Sequence, residues 1–304
     1  MSIDLVVPKE VELPTLLDEL RKLSWASADV LMAYARGDKP PYGFPKSLTV
    51  EEGGDGPVSA ADMAVNELLI SGLKDNLAFK EWDILSEETS KEKTFQQDNY
   101  KKDWCWILDP LDGTKDFLQG SENYAVHIAL AYKKKPKIGI VLIPEKNELW
   151  FGIVGIGAWF ENRDGSKNHF SFSDRLDISK LILVSSKNHQ QSKLNNLLST
   201  LCFGETKKIG SVGCKVASIL RGEADVYISL SGKTSPKDWD MAAPHALLEA
   251  AGGMFSHADG RKLIYQETNY SQSGCLIASH GKSHQKICQK AMDFFSLEEP
   301  KYFV

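Results

Sequence analysis

The stretch Asp109-Pro110-Leu111-Asp112-Gly113-Thr114 puts two carboxylates and a hydroxyl side by side, directly after the apolar run 104–108. A residue before proline is pushed to extended geometry, so Asp109 is expected at the end of a strand. Pro110 then fixes a turn, Gly113 permits a close backbone approach, and a helical turn can start near Thr114. Two carboxylates beside a fan of unpaired amide hydrogens could bind cations with the first group and phosphate with the second. The same run also reads as an Asx-rich turn with a helix cap. Three further acids sit at comparable places. Glu87, in Ser86-Glu87-Glu88-Thr89, ends the preceding strand. Asp240, in Trp239-Asp240-Met241-Ala242-Ala243-Pro244, opens a helix over 241–251, because proline is tolerated only near a helix's first turn. Asp62 follows Ser59 with the spacing of a capping box. Singly, Glu87 reads as solvated surface, and Asp62 and Asp240 as caps.

Together they read differently, because open α/β structures place ligand sites at strand ends and helix starts. Two carboxylates ~4 Å apart repel by about 1 kcal/mol in water and about 4 kcal/mol at an effective dielectric of 20. Several such pairs would consume much of a typical stability of about 5–15 kcal/mol. Divalent cations would offset that repulsion. An all-oxygen donor set suits Mg²⁺ or Mn²⁺, and no Cys or His cluster suggests zinc.

The elements that must carry these acids follow from periodicity. A helix opens at Pro14, keeps Leu16, Leu17, Leu20, Leu23, Leu31 and Tyr34 on one face, and ends at Gly37. Residues 39–57 read as a Pro/Gly-rich loop, followed by a helix over 60–74. Strands are expected at 82–85 and 104–108, with a polar, mobile loop over 91–102 between them. Residues 125–132 and 138–143 read as a hairpin, and 149–161 as two strands broken by Gly155 and Gly157. His127, in an apolar strand, reads as a satisfied core residue. From about 180 the pattern alternates: strand 181–185, helix 190–201, helix 212–221, strand 225–230, helix 241–251, strand 275–278 and helix 283–295. An N-terminal α+β half (1–180) would hold most metal-binding motifs, and a C-terminal α/β half (181–304) would supply Asp240.

Three blocks, Ser86-Glu87-Glu88, Asp109-Pro110-Leu111-Asp112-Gly113-Thr114 and Trp239-Asp240-Met241-Ala242-Ala243, resemble those of the inositol monophosphatase superfamily of Mg²⁺-dependent, lithium-sensitive phosphatases. Pro57-Val58-Ser59-Ala60-Ala61-Asp62 is similar to that family's PVTxAD block, and order and spacing match over roughly residues 15–291. The resemblance implies a five-layer αβαβα sandwich. It implies metal ligands at Glu87, Asp109, the Leu111 carbonyl, Asp112 and Asp240, for two or three Mg²⁺ ions, or Mn²⁺. It implies that Asp62 orients Thr114, that Glu87 and Thr114 hold the attacking water, and that the Gly113 and Thr114 amides hold the phosphate.

Residues 207–237 carry six Lys/Arg against two acids, in a chain of net charge -5. Such a surface suits a substrate with a second phosphate, or is a solvated lysine face. Gly210-Ser211-Val212-Gly213-Cys214-Lys215 resembles the GSxxxK block of the CysQ-like 3'(2'),5'-bisphosphate nucleotidase branch, which implies substrate contacts from Ser211 and Lys215. Lys233 stands where the inositol branch carries an acid for sugar hydroxyls, so it too is expected to face an anionic group. The expected reaction is hydrolysis of adenosine 3',5'-bisphosphate to AMP and phosphate, with the 3'-phosphosulfate form as a second substrate. An inositol or sugar phosphatase, and a metal- and nucleotide-binding module without turnover, are the alternatives.

With 42% hydrophobic and 25% charged residues among 304, the chain has material for a large core. The longest apolar stretch, Leu149 to Phe160, is far below the ~20 residues of a spanning helix. The negative charge excludes a general nucleic-acid coat. Met1-Ser2-Ile3-Asp4-Leu5 shows no secretory pattern, and five widely spaced cysteines read as buried reduced thiols, so a cytoplasmic monomer or homodimer is expected.

Overall fold

The computed structural model describes residues 7–8, 11–53, 56–75, 82–90, 102–187, 192–231, 234–267 and 269–298. The expected loop over 91–102 and Lys233 therefore fall mostly or wholly outside the described residues. Helix α1 (Leu13–Arg36) has Pro14 in its first turn and stops at Gly37, whose φ of 71° is open to glycine at no steric cost. A short hairpin, β1 (Val50–Gly53) with β2 (Gly56–Ser59), leads into α2 (Ala60–Asp75). This hairpin corrects the expected loop over 39–57: its residues Val-Glu-Glu-Gly and Gly-Pro-Val-Ser hold too few apolar positions to show alternation.

A seven-stranded sheet follows from β3 (Asp83–Ser86), β4 (Trp104–Asp112), β5 (Ala125–Tyr132), β6 (Lys135–Ile143), β7 (Glu148–Ile153), β8 (Gly157–Glu161) and β9 (Lys167–Asn168), paired in that order. Successive side chains of a strand point to opposite faces. Trp106 and Leu108 accordingly join Leu16, Leu20, Leu69 and Leu73 in a core beneath α1 and α2. Cys105 and Ile107 face the other way, into a core shared with two later helices.

Those helices are α6 (Val212–Leu220) and α7 (Asp238–Ala250). They lie between the first sheet and a five-stranded sheet of order β11-β10-β12-β14-β13, with β10 at Ile182–Ser185, β11 at Glu205–Lys208, β12 at Val226–Leu230, β13 at Met254–His257 and β14 at Cys275–Ser279. On its outer face α5 (Ser192–Leu201) and α8 (His284–Glu298) close a third core around Leu197, Ile277, Ile287 and Phe295. Three cores between five layers make the expected αβαβα sandwich. In the second sheet the two strands not expected, β11 and β13, are its edge strands, where a polar run such as Glu-Thr-Lys-Lys carries little apolar signal. Four cysteines are buried as expected; Cys202 is exposed, and all five are free. Among the described residues no helix is long and apolar enough to cross a membrane.

Helix α7 corrects a second expectation. It starts at Asp238, so Pro244 lies inside it and Asp240 is the third helical residue, not the cap. The Asp240 carboxylate accepts the Lys237 N–H at 2.5 Å, which closes the helix start three residues earlier than the proline suggests. Pro244 lacks only the N–H that would have met the Asp240 carbonyl. The helix is pressed onto the first sheet. A Cβ on Gly139 would fall 2.2 Å from the Ala243 carbonyl oxygen, and one on Gly152 would fall 2.3 Å from the Leu247 Cα. These two glycines set how closely Asp240 approaches the end of β4.

Candidate active site

The strand β4 does not end at Asp109, as expected, but runs on through Asp112. Its register against β5 slips between the pairs Asp109–His127 and Asp112–Ala125, so three steps on β4 oppose two on β5. In a regular strand, residues three apart face opposite sides; the extra residue of a bulge lets both point the same way. Pro110 is compatible with this because a bulge has no ladder hydrogen bond for it to miss. The bulge and α7 together bring Asp109, Asp112 and Asp240 to one place, each offering an oxygen within 4.8 Å of the others.

These acids differ in their surroundings. Asp112 Oδ2 accepts the Ser211 hydroxyl at 2.6 Å and the backbone N–H groups of Val212 at 2.6 Å and Gly213 at 3.1 Å. His127 Nε2 stands 3.1 Å from the same oxygen. Burial opposes ionisation of Asp112, but His127, Lys215 and Ser211 outweigh it and hold the carboxyl below its ordinary range. Asp109 has less support. Its Oδ1 accepts the Leu111 N–H at 3.0 Å, while its buried Oδ2 has no hydrogen-bond partner among the described residues. Burial, then the charges of Glu87, Asp112 and Asp240, push Asp109 well above the ordinary carboxylate range. Asp240 is raised in the same way, by burial first and then by Asp112 and Glu87. Converging oxygens of like charge, one of them orphaned, fit a hard divalent cation.

Glu87 is the first residue of the one-turn helix α3 (Glu87–Ser90), and its charge acts on Asp62, Asp109 and Asp240. Ser86 anchors that turn, its hydroxyl donating to Asn66 Oδ1 of α2 at 2.6 Å. Asp62 plays both parts open to it. Its Oδ2 accepts the Ser59 N–H, as a capping box requires, and also the Ser59 hydroxyl, and its Oδ1 accepts the Thr114 hydroxyl at 2.9 Å. Burial pushes Asp62 up to about 6. Thr114 opens the short helix α4 (Thr114–Leu118), and its oxygen also lies 3.1 Å from the Leu111 carbonyl. Gly113, at φ 95°, makes the corner between strand and helix.

Of the residues expected to touch substrate, Ser211 and Lys215 lie among the described residues. Ser211 is fully buried; its hydroxyl serves Asp112 and caps α6 by accepting the Cys214 N–H at 3.1 Å. Lys215 is also buried, with Nζ donating to the Gly210 carbonyl at 2.6 Å and lying 4.9 Å from the centre of the Tyr227 ring. Lys237 donates to the Ser271 hydroxyl at 3.0 Å. His127 is the site residue that sequence reasoning passed over. It is a buried residue, as expected, with Nε2 3.1 Å from Asp112 Oδ2 and Nδ1 3.4 Å from the Trp239 carbonyl; the signal was an imidazole in the otherwise apolar strand Ala-Val-His-Ile-Ala-Leu-Ala-Tyr.

The chain that carries this cluster is similar to known proteins. The 3'(2'),5'-bisphosphate nucleotidase CysQ of Shigella flexneri is 31% identical over 250 residues, 82% of this chain and 94% of that protein. The protein of the same name from Escherichia coli (strain K12) is 30% identical over the same shares. Among solved structures, an inositol monophosphatase from Anabaena (Nostoc) superposes with a TM-score of 0.69 at 24% identity, over 93% of this chain and 97% of that one. The Thermotoga maritima IMPase gives 0.72 at 21%, over 93% and 99%. The model of the inositol monophosphatase family matches residues 16–294, the span that contains every acid of the cluster, and the chain belongs to that family.

Proposed function

We propose that this chain is a magnesium-dependent phosphomonoesterase that removes the 3'-phosphate of adenosine 3',5'-bisphosphate, giving AMP and phosphate, and that it also accepts the 3'-phosphosulfate form. The observation that carries the reading is the convergence of Asp109, Asp112 and Asp240 within 4.8 Å, beside a threonine hydroxyl already held by Asp62. The relatives named CysQ support the choice of substrate. Glu87, Asp109, the Leu111 carbonyl, Asp112 and Asp240 would hold Mg²⁺, or Mn²⁺, which when bound supplies Lewis acidity and offsets the charge of the phosphate.

The chain's own residues then have definite tasks. Thr114 donates its proton to Asp62, which leaves the hydroxyl oxygen able to accept a hydrogen bond from water and orient it. Asp62, with its pKa raised towards neutrality, is a better proton acceptor than an exposed carboxylate. Glu87 shares in holding the same water. The N–H groups of Gly113 and Thr114, at a helix start where such donors lack intrahelical acceptors, bind the phosphate oxygens. The water oxygen bonds to phosphorus, the bond from phosphorus to the 3'-oxygen breaks, and the leaving oxygen takes up a proton.

Phosphate release from four substrates tests this reading: adenosine 3',5'-bisphosphate, its phosphosulfate form, inositol 1-phosphate and fructose 1,6-bisphosphate, each with Mg²⁺ and with EDTA. The nucleotide bisphosphate is expected to be hydrolysed fastest, and only with the cation. A faster rate on inositol 1-phosphate would overturn the substrate assignment. Asp109→Asn is expected to lower turnover by about a hundredfold or more, since even residues that merely support a ligand cost about 10–100-fold. A wild type that never turns over, with nucleotide binding nearly unchanged in Asp109→Asn, would instead favour a binding module.

A further inference from the structure

Asp116 stands two residues past Thr114 in α4, is 1% exposed, and has no task in the reaction above. Its Oδ1 lies 3.4 Å from Lys187 Nζ, and its buried Oδ2 has no hydrogen-bond partner among the described residues. A carboxylate sunk next to a phosphate-binding turn has the wrong sign for that neighbourhood, and a buried charge is costly unless something pairs with it. The partner comes from the other sheet. Lys187 follows the end of β10, and its side chain is 43% exposed.

The packing around Asp116 is specific. A Cβ on Gly210 would fall 1.9 Å from Asp116 Oδ2, so a side chain there would displace the carboxylate. Gly210 leads directly into Ser211, which holds Asp112, and its carbonyl accepts Lys215 Nζ at 2.6 Å. The negative charge of Asp116 also acts on Lys215. Two ammonium groups from the C-terminal half thus interact with Asp116, Lys187 at 3.4 Å and Lys215 through its charge. Lys215 is buried and spends a donor on backbone, whereas Lys187 is open to solvent on one side. An ammonium has three donors. One turned to Asp116 leaves two for an anion.

We propose that Asp116 is a positioning residue that holds Lys187 at the edge of the site, where the ammonium meets the second, non-reacting phosphate of the substrate and so selects doubly over singly phosphorylated esters. This rests on the bisphosphate reading above. A charge-assisted contact of this kind changes affinity by about tenfold or more, and a substrate lacking the second phosphate gains nothing from it.

The test compares kcat and KM for adenosine 3',5'-bisphosphate and adenosine 3'-monophosphate, which share the scissile ester and differ only in the 5'-phosphate. Lys187→Ala and Asp116→Asn are each expected to raise KM for the bisphosphate about tenfold, with kcat changed less than twofold and KM for the monophosphate unmoved. Lys187→Arg is expected to keep most of the preference. The double variant should be no worse than Lys187→Ala alone, because Asp116 acts only through Lys187. Lys187→Ala removes a partly exposed side chain and so keeps the test decisive if Asp116→Asn does not fold. A wild-type preference that both variants retain, or a KM rise equal for the two substrates, overturns this proposal and leaves the nucleotidase reading standing. A wild type that does not prefer the bisphosphate overturns both.

Discussion

Asp109 and Asp112 lie three residues apart in one strand, yet their environments drive their protons in opposite directions. Asp112 has a hydroxyl, two backbone N–H groups and an imidazole on one oxygen; Asp109 has one N–H and an orphaned oxygen. These surroundings favour the charged form of Asp112 and disfavour that of Asp109, and a cation bound as proposed would offset the second effect. The proposed metal affinity then depends on His127, which is fully buried. His127→Leu is expected to raise the Mg²⁺ concentration needed for half-maximal phosphate release by about 10–100-fold. An unchanged activation curve would show that Asp112 does not need it. The sequence marks His127 as buried but not whom it meets, because that pairing depends on a register slip that no local pattern encodes.

At the scale of elements, α7 decides whether Asp240 reaches the other acids, and its seat is made by absence of side chains. Gly152→Ala places a methyl 2.3 Å from the Leu247 Cα, against backbone that cannot turn aside. Overpacking of this kind costs about 1–3 kcal/mol. A lowered Tm together with a lowered kcat is the expected outcome, since lifting the helix also withdraws Asp240. A lowered Tm with kcat intact would mean that the helix position and the site are uncoupled. The helices with a clear apolar face, α1 and α2, were legible from spacing, as were the core strands β5 and β6. The start of α7 was not, because a capping carboxylate and an internal proline pull the boundary in opposite directions and only the observed hydrogen bond shows which prevails.

For the molecule as a whole, the acids come from different layers: Asp62 from α2, Asp109 and Asp112 from the first sheet, and Asp240 from the helix between the sheets. The unfolded chain scatters them, so a cation held by Asp109, Asp112 and Asp240 would bind the native state alone. At a hundred times its dissociation constant such a ligand adds about 2.7 kcal/mol of stability. Thermal unfolding in excess Mg²⁺ is expected to occur several degrees above that in EDTA. Identical melting curves in the two conditions would contradict the convergence that the proposed chemistry requires.

The amino-acid sequence by itself determined which residues carry charge and hydroxyl groups, that they fall near strand ends and helix starts, and, through their order, the family. Those are consequences of short-range geometry: the stiffness before proline, the freedom of glycine, the period of a buried face. Tertiary structure decided the rest. The bulge that turns Asp109 and Asp112 to one side, the turning of Ser211 and Lys215 inward, and the pairing of Asp116 with Lys187 across two sheets all depend on how separate layers pack. Packing is a property of surfaces meeting at distances of a few ångströms, and spacing along the chain does not specify it.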